Sequence, residues 1–205
     1  MTKRNWQILG ESSSKKEICF FTLLLSAAVY LPSIVVCQSS AHLPCRGVRI
    51  EDRLVGWGYR DEEFGRNIEA IIIHSSYNAL SDDSFNIDGI LREYRSIGVS
   101  PHYIIQRDGT IYRLVADRGI AFHAGRSRLP DGKADVNAVS IGIEIINTKS
   151  DSPTDAQYIS LVKLVKCLEN KYPIKYVLGH VDIAPGRKTD PWNFDWEKFN
   201  LLMKK

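Results

Sequence analysis

At 205 residues the chain is long enough for one ordinary domain plus an extension, and long enough to bury a real core. Hydrophobic and charged fractions of 44% and 25% are those of a globular protein and argue against disorder. The net charge of +3 shrinks to +1 from His42 onward: four of the 27 basic residues (Lys3, Arg4, Lys15, Lys16) and two of the 24 acidic ones (Glu11, Glu17) precede it. With no Lys/Arg-rich block, the composition speaks against a nucleic-acid partner.

Ile18 to Val36 is almost uninterrupted apolar sequence, preceded by Lys15-Lys16 and followed by Cys37-Gln38-Ser39-Ser40-Ala41. A basic flank, an apolar centre and small residues after it describe a secretory signal. The run is also long enough to span a bilayer, although Pro32 interrupts it. The expectation is an exported protein, periplasmic or associated with the cell envelope. The segment is either cleaved, after Cys37 or after Ala41, or kept as a membrane attachment. Lipidation of Cys37 is a further route, for which the bulky Val36 is a poor fit. Cys45 and Cys167 remain in either case and could pair in an oxidising compartment. The simpler reading makes Cys167 a core residue of an amphipathic helix. With no Cys-x-x-Cys spacing, cysteine is not the metal ligand. Residues 1–47 are thus targeting sequence and linker, and 48–205 the folded domain.

Within that domain Glu69 to His74 reads as a buried Ile-rich strand that turns polar at Ser75-Ser76. Ser84 to Ile97 follows as a helix, with Ile87, Ile90, Leu91 and Tyr94 on one face and Gly98 ending it. His102–Gln106 and Thr110–Leu114 form a hairpin around Asp108-Gly109, because Asp-Gly supplies the positive φ of a tight turn. Val139–Ile146 is another apolar strand. Thr154-Asp155-Ala156-Gln157 is a capping box opening a helix to about Lys171, whose Tyr158, Leu161, Val162, Val165 and Leu168 face a sheet. Val177–His180 is a short strand, and Asp195 caps a last helix to about Lys204. Strands mixed with crossover helices give a single three-layer α/β domain, a central sheet flanked by helices.

His74 and His180 each close a strand, so both can point at one end of the sheet. Asp190 lies ten residues beyond His180 on a loop stiffened by Pro185 and Pro191. A histidine at a strand end is often no more than a hydrogen-bonded core residue. Two of them with a carboxylate, however, make the usual ligand set of a catalytic zinc. Alternation puts Glu144 on the face of Gly142 and Ile146, opposite Ile141, Ile143 and Ile145. A carboxylate there is costly unless used, and desolvation raises its pKa toward that of a general base working near neutrality. The alternative is a Glu that reaches solvent or pairs with an Arg. Lys188 could stabilise an oxyanion or be a plain solvated lysine. His123, between Phe122 and Ala124-Gly125, could line a groove or face the metal, whereas His102 reads as structural or as orienting a ligand.

Phe122-His123-Ala124-Gly125, Ser140-Ile141-Gly142-Ile143-Glu144, Thr154-Asp155-Ala156-Gln157-Tyr158 and the run Gly179-His180 through Lys188-Thr189-Asp190-Pro191 occur in that order. Over roughly Glu69 to the C-terminus the chain resembles the AmpD-like N-acetylmuramoyl-L-alanine amidases, zinc amidases related to phage lysozyme-amidases and peptidoglycan recognition proteins. The resemblance implies one zinc held by His74, His180 and Asp190. It makes Glu144 the base that activates water, Lys188 the group stabilising the tetrahedral intermediate, and His123 a substrate contact. The reaction implied is hydrolysis of the amide between the lactyl group of N-acetylmuramic acid and L-alanine, in peptidoglycan or muropeptides, during cell-wall turnover or recycling. Trp192 departs from the family, which tends to have glycine there; its indole could stack on a sugar face or crowd the groove. The rival reading is a peptidoglycan-binding module of the same fold without catalysis, which the full set of ligands, Glu144 and Lys188 disfavours. A zinc peptidase would need a helical His-Glu-x-x-His, which is absent.

Overall fold

The computed structural model describes residues 47–205; the expected targeting segment, Cys37 and Cys45 lie outside them. In chain order the elements are β1 (Ile50–Asp52), β2 (Tyr59–Arg60), β3 (Ala70–Ser76), α1 (Ile87–Ile97), β4 (Tyr103–Ile105), β5 (Ile111–Arg113), β6 (Ile120–Ala121), α2 (Val136–Val139), β7 (Ser140–Ile146), α3 (Asp155–Lys171), β8 (Tyr176–Gly179), α4 (His180–Ile183) and α5 (Trp196–Met203). The main sheet has the order β1-β5-β4-β7-β3-β8, and β2 pairs with β6 in a small second sheet. Strands β4, β7, β3 and β8 are mutually parallel, and β5 runs antiparallel to β4. The sheet is therefore mixed, with its parallel part carrying the centre of the domain.

The isoleucine runs explain that centre. A parallel strand covered on both faces needs apolar residues at successive positions, and Ile71, Ile72, Ile73, Ile141, Ile143 and Ile145 are all fully buried. Ile71, Ile73, Ile141, Ile143 and Ile145 pack beneath Tyr158, Leu161, Val165 and Leu168 of α3 and Phe199 of α5. On the other face Ile72 and Leu178 meet Val136 and Ile183, while Ile104 and Ile146 meet Ile90 and Tyr94 of α1. Helices on both faces of one sheet are the expected three layers.

Local chemistry sets the element ends. The capping box at Thr154 is present, and Gln157 Nε2 donates to the Ile105 and Ile146 carbonyls at 3.1 and 2.9 Å, which fastens α3 to two strand ends. Gly109 takes φ 87° in the Asp-Gly turn of the hairpin. Helix α1 starts three residues later than its periodicity suggests, because Asn86 caps it by accepting from the Gly89 N–H at 2.9 Å. Strand β8 stops at Gly179, so His180 opens a one-turn helix instead of closing a strand. The cause is Asp182, whose carboxylate accepts the Gly179 N–H at 2.8 Å. Cys167 is half-buried and disulfide-bonded, which corrects its reading as a plain core residue. The other cysteines, Cys19, Cys37 and Cys45, all precede the described residues. No described helix is long and apolar enough to cross a membrane.

Candidate metal centre at the ends of the parallel strands

His74 lies near the carboxyl end of β3, and His180 follows the end of β8, its neighbour in the sheet. Open α/β sheets hold their sites at such strand ends. The ten-residue loop after His180 is closed by the Val181 N–H, which donates to the Asp190 carbonyl at 2.9 Å and brings Asp190 back beside His180. Arg187 donates to the Ala124 and Arg126 carbonyls at 2.8 and 2.9 Å, pinning the loop to the opposite wall.

The three side chains converge. His74 Nδ1 lies 2.9 Å from His180 Nδ1 and 3.3 Å from Asp190 Oδ2, and His180 Nδ1 lies 3.2 Å from the same oxygen. Those separations match the edges of a tetrahedron with arms of about 2.0–2.1 Å, the Zn–N and Zn–O lengths, whose edge is about 3.3 Å. Among the described residues this is the one cluster of His, Cys, Asp or Glu able to hold a metal ion. All three residues are buried. Burial lowers the His74 pKa to about 4 against the pull of Asp190. Burial also opposes ionisation of Asp190, but hydrogen bonds from His180 and His74 overcome it and hold the carboxyl well below its usual range. A neutral imidazole and an ionised carboxylate are the forms that ligate.

Glu144 projects from β7 onto the same face, directly opposite His74 in register. Burial raises its pKa to about 8, reinforced by the negative charge of Asp190 and moderated by Ser76, Lys188 and Tyr94. Its Oε2 is buried without a hydrogen-bond partner, alone in this among the described side chains. An acceptor left open in this way is available to a proton from outside the protein. Lys188 is half-buried, and its positive charge acts on both His74 and Glu144.

His123 is tucked under His74: its Nδ1 lies 3.0 Å from His74 Nε2, and its Nε2 lies 3.3 Å from Ser140 Oγ. Both ring nitrogens are thus engaged within the protein. His102 stands one layer deeper, its ring 5.7 Å from that of His123, and is fully buried. It accepts the Gly142 N–H at Nδ1, so its Nε2–H donates to the Gly119 carbonyl. Trp192 flanks Asp190 with its ring 5.8 Å from Tyr77 and its indole N–H on Thr189 at 3.0 Å. The Lys149 ammonium lies 5.6 Å from the Trp192 ring.

Ser76 and Tyr94, which touch Glu144 electrostatically and bond to each other, were not singled out from the sequence. Ser76 shares the strand face of His74 by simple alternation, a signal that could have found it. Tyr94 reads in the sequence only as part of an apolar helix face.

The Amidase_2 family, described as N-acetylmuramoyl-L-alanine amidase, matches residues 64–193. The 1,6-anhydro-N-acetylmuramyl-L-alanine amidase AmpD of Escherichia coli (strain K12) is 43% identical over 116 residues, 55% of this chain and 63% of that protein. The chain therefore spans just under two thirds of the length of this curated relative. A solved selenomethionine AmpD derivative superimposes with a TM-score of 0.61 at 34% identity, covering 74% of this chain and 94% of that one. E. coli AmiD, in complex with anhydro-N-acetylmuramic acid-L-Ala-D-gamma-Glu-L-Lys, gives 0.59 at 29% identity, covering 70% of this chain and 60% of that one. The family match takes in more than half of the chain and every residue from His74 to Trp192 described above: this chain belongs to the N-acetylmuramoyl-L-alanine amidase family.

Proposed function

We propose that the protein is a zinc-dependent amidase that hydrolyses the bond between the lactyl group of N-acetylmuramic acid and L-alanine, in peptidoglycan or muropeptides. The observation that carries this reading is the set of three ligand atoms 2.9–3.3 Å apart beside the open Oε2 of Glu144. His74, His180 and Asp190 would hold the ion, whose contribution is Lewis-acid polarisation of the scissile carbonyl.

The remaining work falls to the chain. Glu144 takes a proton from the attacking water as the carbon–oxygen bond forms, and returns it to the alanine nitrogen as the carbon–nitrogen bond breaks. Its raised pKa suits that exchange. The Lys188 ammonium offsets the negative charge that develops on the carbonyl oxygen. Trp192 and Tyr77 supply an aromatic wall for a sugar ring beside Asp190. Substrate complexes of related enzymes, such as that of AmiD, support a muropeptide as the ligand.

We further propose that the enzyme is exported to the periplasm or cell envelope, directed by the apolar run Ile18–Val36, which either is removed or serves as a membrane attachment. The disulfide at Cys167 supports this, since such bonds persist in oxidising compartments.

Mass spectrometry of muropeptides incubated with the purified protein, with and without a chelator, tests the activity. Release of stem peptide beginning at L-alanine, abolished by chelation and restored by zinc, is the expected result. A zinc-loaded protein that binds the substrate and cleaves nothing would instead be a recognition module.

A further inference from the structure

We propose that the dipeptide His123-Ala124, anchored by Asn137, is the outer shell that orients both histidine ligands. This rests on the metal reading of the site given above. Asn137 Oδ1 accepts two successive backbone N–H groups, from His123 at 3.1 Å and Ala124 at 2.8 Å. From that anchor the His123 side chain reaches His74 Nε2, and the Ala124 carbonyl reaches His180 Nε2 at 3.1 Å.

The direction of every proton follows. A carbonyl only accepts, so His180 carries its hydrogen on Nε2 and presents the Nδ1 lone pair to the centre. His74 Nδ1 faces His180 Nδ1 and Asp190, so it too must be bare, and its hydrogen sits on Nε2 and is donated to His123 Nδ1. His123 then carries its own hydrogen on Nε2, toward Ser140 Oγ. Ser140 passes its hydroxyl hydrogen to the Val136 carbonyl at 2.5 Å, where the relay ends. Reversing any link would put a hydrogen on a ligating nitrogen.

The sheet reserves the room for this ring. A Cβ on Gly142 would stand 2.4 Å from His123 Cγ, so a side chain there would push the imidazole off His74. Ligating histidines commonly rest on a carboxylate or carbonyl; here one rests on a neutral imidazole, which adds no charge beside the metal.

The test is zinc affinity, by competition with a chelator of known strength, in the full-length protein and three variants. His123→Leu removes the acceptor and is expected to weaken zinc binding about 10–100-fold, the usual cost of an outer-shell loss. His123→Asn places an amide oxygen where Nδ1 stood and should restore affinity to within a few-fold. Asn137→Ala, which touches neither metal nor substrate, should weaken zinc binding as His123→Leu does. Unchanged affinity in His123→Leu or in Asn137→Ala overturns the proposal, as does an Asn variant as weak as Leu. A His123→Leu enzyme with intact zinc affinity and a raised KM would make His123 a substrate contact instead. Should His123→Leu fail to fold, the Asn137→Ala result decides. A wild-type protein that binds no zinc defeats the metal reading itself, a separate outcome.

Discussion

His74 and Glu144 face each other across two adjacent parallel strands, as register partners on one face of the sheet. The proposed ligand and the proposed proton acceptor are thereby set side by side by the backbone ladder alone, with no loop between them to adjust. Pleating keeps partners on neighbouring strands within contact distance. Glu144→Gln keeps the size of the side chain and its acceptor oxygen but removes the basic one. The expected variant holds a full complement of zinc and loses about 10²–10⁴-fold in kcat. Metal analysis beside steady-state kinetics checks it, and near-normal turnover would remove Glu144 as the base.

Asp190 is the anionic member of the proposed ligand set, and both histidines lie against its Oδ2. Asp190→Ala should weaken zinc binding by more than the roughly 10–100-fold of an outer-shell loss, with activity falling in step. Chelator competition measures it; a variant that binds zinc as tightly as wild type would take Asp190 out of the ligand set.

Much of this arrangement could be read before the fold was known. Period-two alternation placed Glu144 with Gly142 and Ile146, and the spacing of His180 and Asp190 on a stiff loop marked them as a pair. What stayed hidden was whatever depends on non-local approach. His123 meets His74 across 49 residues, and the meaning of Gly142 appears only once the His123 ring lies against it. The start of α1 escaped periodicity because a side-chain cap decides it. The disulfide at Cys167 depends on a distance that no spacing encodes.

Trp192 stands beside Tyr77 and Lys149, one residue after Pro191. If its ring supports a sugar, Trp192→Gly should raise KM for muropeptides with little change in kcat. An aromatic contact of about 0.5–1.5 kcal/mol corresponds to roughly 2- to 10-fold in KM. Steady-state kinetics on muropeptides measure it. A lowered KM would show instead that the indole crowds the groove.

His102 ties stability to acid. Burial, aided by the nearby Arg66 charge, holds its pKa down to about 3. Both nitrogens are committed in the neutral form, to the Gly142 N–H and the Gly119 carbonyl. An unfolded histidine takes up its proton near pH 6.5. Between about 6.5 and 3 the unfolded chain therefore binds a proton that the folded one refuses, and stability falls as pH is lowered through that window. Above it this residue contributes no slope. One such histidine costs about 1.4 kcal/mol per pH unit. Glu144, whose pKa is raised to about 8, takes up a proton only in the folded state over the same interval and opposes that loss. The expectation is therefore for the metal-free Glu144→Gln variant, which should lose about 2 kcal/mol or more between pH 7 and pH 5. Buried His74 and half-buried His123, whose pKa values are also lowered, steepen the loss. Urea unfolding in the presence of a chelator at the two pH values gives the difference, and a flat profile would mean that His102 protonates freely in the folded protein.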